Sequence, residues 1–255
     1  YRVNALIFNS KAVVERRGFR PKFSMKDKRV LLTGGTGGLG LGVTPAVLHH
    51  GGHLTMTYRE EREVGRLKSR LSAAEFERIR FVRVDLTQET AVARLIDDLG
   101  RVDVLIHLVG GFTMGATEEF SYEDWLKMFD LNLHSTFLLC KHCLRSMKLH
   151  NYGRIVTIGS RGAVQPGANL AAYCASKAAV VALTQAIAEE TKQTNITANV
   201  VLPSIIDTPG NREAMGGASA KDWVSPESLA EVICFLAGEG AKDLRGAAIP
   251  VYGSL

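Results

Sequence analysis

The sequence predicts an α/β protein, with a doubly wound parallel sheet of about seven strands in a single domain and helices on both faces. Short apolar runs of strand length alternate with longer segments of helical period along the chain. This alternation is typical of βαβ crossovers, which join parallel strands. Several runs are continuously apolar, as in strands buried on both faces. The length of 255 residues suits one sizeable core and is short for two ordinary domains.

The elements follow one another in regular order. The first strand is predicted over "RVLLT" and the last over "AAIPVY", and a helical segment lies in most of the intervals between strands. The predicted strands are 29–33, 53–57, 79–84, 102–109, 154–159, 196–202 and 247–252. The predicted helices lie near 39–50, 60–73, 88–99, 121–149, 168–192 and 226–238.

Composition and charge narrow the function classes. The composition is that of a soluble globular protein, and we expect no apolar run long enough to span a bilayer and no membrane partner. Residues 1–24 hold six of the 31 Lys and Arg residues and one of the 26 acidic residues, which leaves 25 of each for the rest. Because the body of the chain has no basic surplus, we expect no nucleic-acid partner.

Residues 1–24 are predicted to form a basic N-terminal extension that precedes a domain over 25–255. Its Arg-rich, acid-poor composition resembles a transit peptide. We expect instead an arm that docks across a sheet edge or a neighbouring subunit. A cytoplasmic location is the expectation, with organellar targeting by the extension as the alternative.

The four cysteines are interpreted as reduced packing residues. "CKHC" at 140–143 invites a zinc or redox interpretation, yet it lies in a helical pattern with no second ligand pair at zinc spacing. Two cysteines three residues apart in a helix are more often small buried side chains. We therefore expect no metal site.

A glycine loop follows the first predicted strand and opens the next helix. In "LLTGGTGGLGLGV" the glycines give a TGxxxGxG spacing. Glycines allow a tight turn and let the backbone approach a pyrophosphate, which then lies on the positive end of the helix dipole. The context of strand, loop and helix predicts a dinucleotide site, characteristic of a Rossmann-type fold. The candidate residues in the loop are Gly34, Thr36, Gly38, Leu39 and Gly40.

Residues after the second and third strands bear on the choice of coenzyme. An acid at the end of the second strand favours a free ribose 2′-hydroxyl, and a basic residue there favours a 2′-phosphate. This chain has Tyr58 at that place and Arg59 next to it, which favours NADP(H), with NAD(H) as the alternative. After the third strand, Asp85 and Leu86 are candidates for contacting the adenine.

A tyrosine and a lysine are set into the small-residue stretch "AAYCASKAAV". Tyr173 and Lys177 are four residues apart, so they share one face of a helix. A tyrosine has a reference pKa of about 10, and a nearby ammonium favours the phenolate. The pair can therefore donate a proton to an alkoxide, although chance alone also places such pairs on helix faces.

These motifs together resemble the short-chain dehydrogenase/reductase family over residues 28–253. The glycine loop resembles its TGxxxGxG and "YCASK" its YxxxK. Ser160 lies 13 residues before Tyr173, at the spacing of the family's catalytic serine, and Asn132 lies a further 28 before it, where the family has an asparagine. The "VVLPSIIDT" segment resembles the stretch that binds the nicotinamide carboxamide.

The resemblance implies a function and a set of roles. It implies a carbonyl reductase or alcohol dehydrogenase that acts on a small-molecule carbonyl or alcohol, 3-oxoacyl thioesters among them. Ser160 would donate to the developing oxyanion. Asn132 would hold a water that links Lys177 to solvent, and Tyr173 and Lys177 would also contact the coenzyme. Ile206 would bind it through its backbone and Thr208 through its hydroxyl. The family also implies a homotetramer or homodimer built on helices 121–149 and 168–192.

Two departures from the family's pattern and two alternative functions remain. The family's PG after the sixth strand is Pro203-Ser204 here, which should stiffen that turn. The family's NNAG is "HLVG" here: Gly110 keeps the close backbone approach to the coenzyme, while His107 is expected to be a core histidine. Arg161, Arg212, Phe112 and Trp223 could meet a substrate but are not assigned to it. "LVGGF" and the segment from 200 resemble dihydropteridine reductases, which typically lack the serine, so that activity is the runner-up. A third hypothesis is a nucleotide-binding redox sensor or scaffold without turnover.

Overall fold

The structure is a computed structural model that describes residues 24–254. The predicted N-terminal extension, except for Ser24, therefore lies outside the described residues. Seven parallel strands form one sheet in the order β3-β2-β1-β4-β5-β6-β7. This confirms the predicted fold class. The strands are β1 (Arg29–Thr33), β2 (His53–Tyr58), β3 (Ile79–Arg83), β4 (Val104–His107), β5 (Gly153–Ile158), β6 (Ile196–Pro203) and β7 (Ala248–Val251).

Nine α-helices cover the sheet in the described part of the chain. They are α1 (Gly40–His49), α2 (Glu61–Lys68), α3 (Ala73–Phe76), α4 (Glu89–Leu99), α5 (Tyr122–Phe129), α6 (Ser135–Leu149), α7 (Ala171–Glu190), α8 (Pro209–Met215) and α9 (Pro226–Ala237).

The core lies in two layers, one on each face of the sheet. Along β1, Val30 and Leu32 pack on one side with residues of α1 and α9. Leu31, between them, packs on the other side with residues of α4, α6 and α7. Successive side chains of a strand point to opposite faces, so a continuously apolar strand fills both layers. This packing explains why β1, β4, β5 and β6 contain such runs.

The strand order reverses between β1 and β4. The chain builds β1, β2 and β3 outwards and then returns to pair β4 with the other side of β1, with Thr33 opposite His107. In open parallel sheets the ligand cleft forms at such a switch point, outside the carboxyl ends of the strands. The glycine loop after β1 and the segment after β4 therefore face each other across this position.

Two predicted helices differ from the observed ones. The predicted helix 60–73 ends at Lys68, and a separate short helix follows because Ser72 accepts from the Glu75 backbone while Glu75 bonds back to Ser72. The predicted helix 121–149 is continuous but contains a π-helical turn, Asp130–His134, between α5 and α6. The segment 204–225, for which no helix is predicted, includes α8, which Thr208 caps and Pro209 begins.

Helix α7 qualifies, by length and composition alone, as a membrane span, the one helix among residues 24–254 to do so. The expectation that no segment reaches this length missed it, because the helix is rich in alanine rather than in large apolar residues. It packs against β6, and its Lys177 donates to the Ile158 carbonyl at the end of β5 (2.9 Å). In the structure α7 is thus a packed layer of the α/β fold.

Candidate active site

A cleft of about 320 Å³ lies at the carboxyl ends of β1 to β4. It runs from the ends of β2 and β3 to the segment after β4, and it borders the glycine loop. The sequence had singled out six of its lining residues: Gly34, Thr36, Arg59, Asp85, Leu86 and Gly110.

The backbone of the glycine loop fits a dinucleotide. Gly34 has a φ of +74°, and a Cβ there would lie 2.9 Å from the Val109 nitrogen. Both facts require glycine. Gly40 begins α1, directly after Leu39 at its N-cap, and its Cβ would overlap the Gly35 backbone. The loop thus presents close-packed backbone at the start of a ten-residue helix, where a pyrophosphate is stabilised.

Thr208 approaches the glycine loop from the segment after β6. A Cβ on Gly38 would lie 2.7 Å from the Thr208 Cβ, so only glycine leaves room for this contact. The Thr208 hydroxyl accepts from the Asn211 backbone, and the carbonyl of Ile206 accepts from Thr208 and Asn211. The predicted nicotinamide-binding segment therefore lies against the predicted phosphate-binding loop.

Charged side chains line the cleft near the ends of β2 and β3. Glu63 accepts from the Thr36 hydroxyl (3.1 Å) and from the Arg59 backbone N–H (3.4 Å). Asp85 accepts from the Thr87 N–H and hydroxyl, which lower the pKa of its carboxyl, and the charge of Arg59 lowers it further. Arg66 lines the same region. We call Arg59, Glu63, Arg66 and Asp85 the charged end of the cleft.

Sequence reasoning missed Glu63 and Arg66. Both lie on α2, three residues apart, and therefore on one helix face. Since α2 begins three residues after β2 ends, this face returns towards the glycine loop. The short connection between β2 and α2 was the signal that could have identified them.

The four predicted catalytic residues cluster behind Gly110. A Cβ on Gly110 would lie 2.9 Å from both the Asn132 Oδ1 and the Lys177 Nζ, so glycine is needed for this approach. Ser160 follows β5 and Tyr173 opens α7, and the Ser160 hydroxyl interacts with the Tyr173 side chain. Asn132, Ser160, Tyr173 and Lys177 do not line the cleft itself but adjoin it at Gly110, and we call them the buried end of the cleft.

Asn132 holds the segment after β4 in place through hydrogen bonds to its backbone. Its Oδ1 accepts from the Gly111 N–H (2.8 Å), and its amide nitrogen donates to the Gly111 carbonyl and the Ser176 hydroxyl. The residue lies in the π-helical turn, where Ser135 N–H bonds to the Asp130 carbonyl, five residues back. The Ser135 and Thr136 hydroxyls donate to the carbonyls of Leu131 and Asn132. Such turns are frequent at functional sites, and here the turn places Asn132 against Gly111.

The pKa values at the buried end differ from the sequence-based expectation. Burial lowers the pKa of Lys177 to about 8. Burial raises the pKa of Tyr173 above its usual value, and the hydrogen bond with Ser160 only partly offsets this. The prediction that Lys177 lowers the pKa of Tyr173 is thus wrong. The Lys177 amine is engaged by the Ile158 carbonyl, and burial disfavours the charge of both groups.

His107 is a buried core histidine, as expected from the sequence. Ser135 donates to the Leu131 carbonyl, so its oxygen accepts from the His107 Nε2–H (3.3 Å), and the Nδ1 accepts from the Thr33 hydroxyl (2.6 Å). Burial, aided by the charge of Lys177, lowers the pKa of His107 to about 3. The neutral ring therefore joins the ends of β1 and β4 to the π-helical turn.

The four side chains that could meet a substrate are two aromatic residues and two arginines. Phe112 packs edge-to-face on Tyr173, with ring centroids 4.9 Å apart, while Trp223 is buried. Arg161 donates to Gln165 and Arg212 pairs with Asp207.

Cys140 and Cys143 are buried thiols whose pKa values burial raises, to about 12 for Cys140. In the described part of the chain no group of three or more His, Cys, Asp or Glu residues could hold a metal ion.

Comparisons with known proteins agree with this geometry. The profile of the family described as short chain dehydrogenase matches residues 28–217. The 3-oxoacyl-[acyl-carrier-protein] reductase MabA of Mycobacterium bovis is 33% identical over 93% of this chain and 96% of its own. The D-beta-hydroxybutyrate dehydrogenase of Cupriavidus necator is 27% identical over 88% and 95%. The structure of ElxO with NADP bound superimposes with a TM-score of 0.83 at 28% identity, covering 89% of this chain and 97% of that one.

Proposed function

This chain belongs to the short-chain dehydrogenase/reductase family, NAD(P)-dependent oxidoreductases of alcohol and carbonyl groups, and on that premise we propose that it is an NADP(H)-dependent carbonyl reductase. The observation that carries the proposal is the buried end of the cleft, where Ser160 meets Tyr173 and Lys177 lies one helical turn away. When bound, a nicotinamide coenzyme supplies the hydride, with its two electrons, that reduces the carbonyl carbon.

The protein side chains handle the oxygen of the substrate. Ser160 donates a hydrogen bond to the oxygen as negative charge develops on it. Tyr173 donates its hydroxyl proton to the same oxygen and completes the alcohol. Because burial holds the Tyr173 phenol protonated, it stands ready as an acid for reduction. In the oxidative direction the same group acts as the base.

Lys177 and Asn132 support this proton transfer. With its pKa lowered to about 8, Lys177 can gain or lose a proton near neutral pH more readily than an exposed lysine. It therefore suits the task of returning a proton to Tyr173. Asn132 holds Gly111 and, through the Gly110 contact, fixes where the Lys177 amine lies.

The choice of NADP(H) rests on the charged end of the cleft. Arg59 and Arg66 both line it, and a guanidinium suits a 2′-phosphate. Glu63 opposes them, since its carboxylate accepts from the Arg59 backbone and the Thr36 hydroxyl. NADP(H) binding thus requires Glu63 to move away from these donors, whereas a ribose hydroxyl could be accommodated beside it.

We also propose that the enzyme is a homo-oligomer. Large apolar side chains are exposed on the outer surface of α5 and α6, namely Tyr122, Leu126 and Phe137. Such exposed groups on packed helices are typical of surfaces that meet another chain. The cytoplasm remains the proposed location.

A substrate screen tests the function. The protein is mixed with NADPH or NADH and a panel of ketones, 3-oxo esters, 3-oxoacyl thioesters and a quinonoid dihydropterin, and coenzyme absorbance is followed. We expect ketone reduction with NADPH, and a loss of at least about 100-fold in kcat for Tyr173→Phe with coenzyme affinity unchanged. Turnover of the dihydropterin alone would indicate the pterin activity. Coenzyme binding without any turnover would indicate a sensor or scaffold.

A further inference from the structure

Large apolar side chains are exposed on the three segments that follow β4, β5 and β6. Three segments follow β4, β5 and β6, and because these strands are neighbours and parallel, their carboxyl ends bring the segments together. The segments carry four large exposed apolar side chains, which we call the apolar rim: Phe112 (58% exposed), Met114 (60%), Val164 (53%) and Met215 (57%).

The rim is continuous with the buried end of the cleft. Phe112 packs on the Tyr173 ring, and Val164 lies four residues after Ser160. The Gly115 N–H donates to the Asn169 carbonyl (2.8 Å), which ties the segment after β4 to the segment after β5. A molecule whose carbonyl oxygen lies between Ser160 and Tyr173 therefore extends onto Phe112.

Both arginines of the three segments are engaged elsewhere. Arg161 donates to Gln165 and lies over the Tyr252 ring. Arg212 pairs with Asp207 through two nitrogens. The third basic residue, Lys221, lies in the 3₁₀ turn Ala220–Asp222, and the Asp222 carbonyl of this turn accepts from the Ser254 N–H beyond the edge strand β7. Among residues 24–254, the guanidinium groups of these segments are thus committed to other side chains.

We propose that the substrate is an uncharged ketone whose carbonyl is attached to an apolar chain of several carbons. A carboxylate next to the carbonyl would lack a cationic partner and lose its water at this site. Carbon chains, in contrast, would cover Phe112, Met114 and Val164 and remove them from water. The inference rests on the proposed carbonyl reductase function and restricts it to such substrates, disfavouring short hydroxy acids and polyols.

A graded substrate series tests the inference. The series consists of acetoacetate, ethyl acetoacetate, ethyl 3-oxohexanoate and ethyl 3-oxooctanoate, with kcat/KM measured for each at saturating NADPH. Each methylene that is fully buried increases the affinity about 4-fold, and each methylene that lies on a half-exposed surface increases it about 2-fold. Ethyl 3-oxooctanoate has four more methylenes than ethyl acetoacetate, so we expect a rise of about 16-fold between them, and acetoacetate as the poorest substrate.

Two variants connect the series to the apolar rim. Phe112→Ser should flatten the chain-length dependence several-fold, and this dependence is a ratio of kcat/KM values within one variant, so a change in kcat/KM for ethyl acetoacetate itself does not affect it. Leu149→Ser is the matched control, since Leu149 is an exposed apolar residue at the end of α6, away from the rim, and should change nothing. Thermal unfolding of both variants checks that they are folded.

The outcomes separate the inference from the function. Equal kcat/KM along the series, or acetoacetate reduced as well as its ethyl ester, overturns the inference and leaves the reductase function standing. An unchanged chain-length dependence in Phe112→Ser overturns it too. If no compound of the series and no ketone of the screen is reduced, the proposed function fails, and the inference with it.

Discussion

The two ends of the cleft are built on different physical principles. At the buried end the polar groups bond to backbone: Lys177 to Ile158, Asn132 to Gly111, and Ser160 to the Gly162 N–H. At the charged end Glu63 and Asp85 also bond to side chains, the hydroxyls of Thr36 and Thr87, and most of these bonds are exposed. Backbone partners are fixed by the fold, whereas exposed side-chain partners are screened by water and readily exchanged. The chemistry is therefore set by the fold, and coenzyme choice by a few replaceable side chains.

The largest effect is expected for Gly110→Ala, which tests whether the close approach at Gly110 fixes the groups of the buried end. The new Cβ would lie 2.9 Å from both Asn132 Oδ1 and Lys177 Nζ, and both side chains are buried, so they cannot give way easily. We expect a fall of about 100-fold in kcat, because displacement by about 1 Å has that cost at a catalytic centre. Overpacking should also destabilise the protein by about 1–3 kcal/mol.

Gly65→Ala is the control for this substitution. Gly65 lies in α2, and no atom lies within 4 Å of the position that an alanine methyl group would take, so alanine should leave kcat unchanged. It should also stabilise the helix by about 0.5–1 kcal/mol. Stopped-flow turnover and urea unfolding of both variants measure the two effects. A Gly110→Ala enzyme with normal kcat would show that the contact at Gly110 does not fix the catalytic groups.

The second prediction concerns the charged end, where substitutions should change the affinity for the coenzyme instead of kcat. Arg59→Ala should weaken NADPH binding about 10-fold and NADH binding little, because one charge-assisted contact to a phosphate is lost. Glu63→Gln should strengthen NADPH binding several-fold, since a carboxylate beside the phosphate is removed. Both variants should keep kcat at saturating coenzyme.

Coenzyme fluorescence titration measures these affinities without any substrate. Glu61→Gln is the matched control, because its carboxylate is bound by the Tyr58 hydroxyl rather than by the glycine loop. Equal changes for NADPH and NADH in Arg59→Ala would remove the assignment of the 2′-phosphate to this end. Weaker NADPH binding in Glu63→Gln would assign Glu63 a supporting role instead of an opposing one.

The smallest effect is expected at the junction between the two ends, at His107. Its pKa is about 3 in the folded protein, against the ordinary histidine value of 6.5, so between these values the unfolded chain binds the additional proton. The contribution of the neutral His107 to the free energy of unfolding is therefore fully present above pH 6.5. It decreases as the pH is lowered towards 3, by at most about 1.4 kcal/mol per pH unit. Urea unfolding at pH 7, 6 and 5 measures this slope.

His107→Asn should reduce the slope of the free energy of unfolding against pH by the contribution of one proton. The substitution also removes hydrogen bonds and lowers stability at every pH. The control is His134→Asn, which alters a histidine that is exposed and paired with Asp130. An unchanged slope in His107→Asn would mean that the buried ring does not contribute to acid sensitivity.

The sequence predicted most of the fold and singled out residues that the structure brings together beside Gly110. Strand positions follow from apolar runs, and the glycine loop, Ser160, Tyr173 and Lys177 follow from spacing. The short helix α8 and the π-helical turn were not predicted. The turn depends on the hydroxyls of Ser135 and Thr136 bonding to carbonyls that a regular helix would use, and helical periodicity does not reveal this.

The charged end was predicted in part for a related reason. Arg59 was found because it follows a strand directly, while Glu63 and Arg66 depend on how α2 folds back. The rise in the pKa of Tyr173 also escaped prediction, because spacing places Lys177 near Tyr173 but gives neither the burial of both groups nor the partner of the amine.

The π-helical turn has a consequence for how this chain tolerates insertions and deletions. It contains one residue more than a regular helix needs, and each residue of an α-helix corresponds to about 100° of rotation. Deleting one residue between Asp130 and His134 would restore a regular helix and remove the local geometry that places Asn132 against Gly111. Natural length variation should therefore be rarer in these five positions than in the exposed segment 113–119, where a change in length leaves the π-helical turn intact.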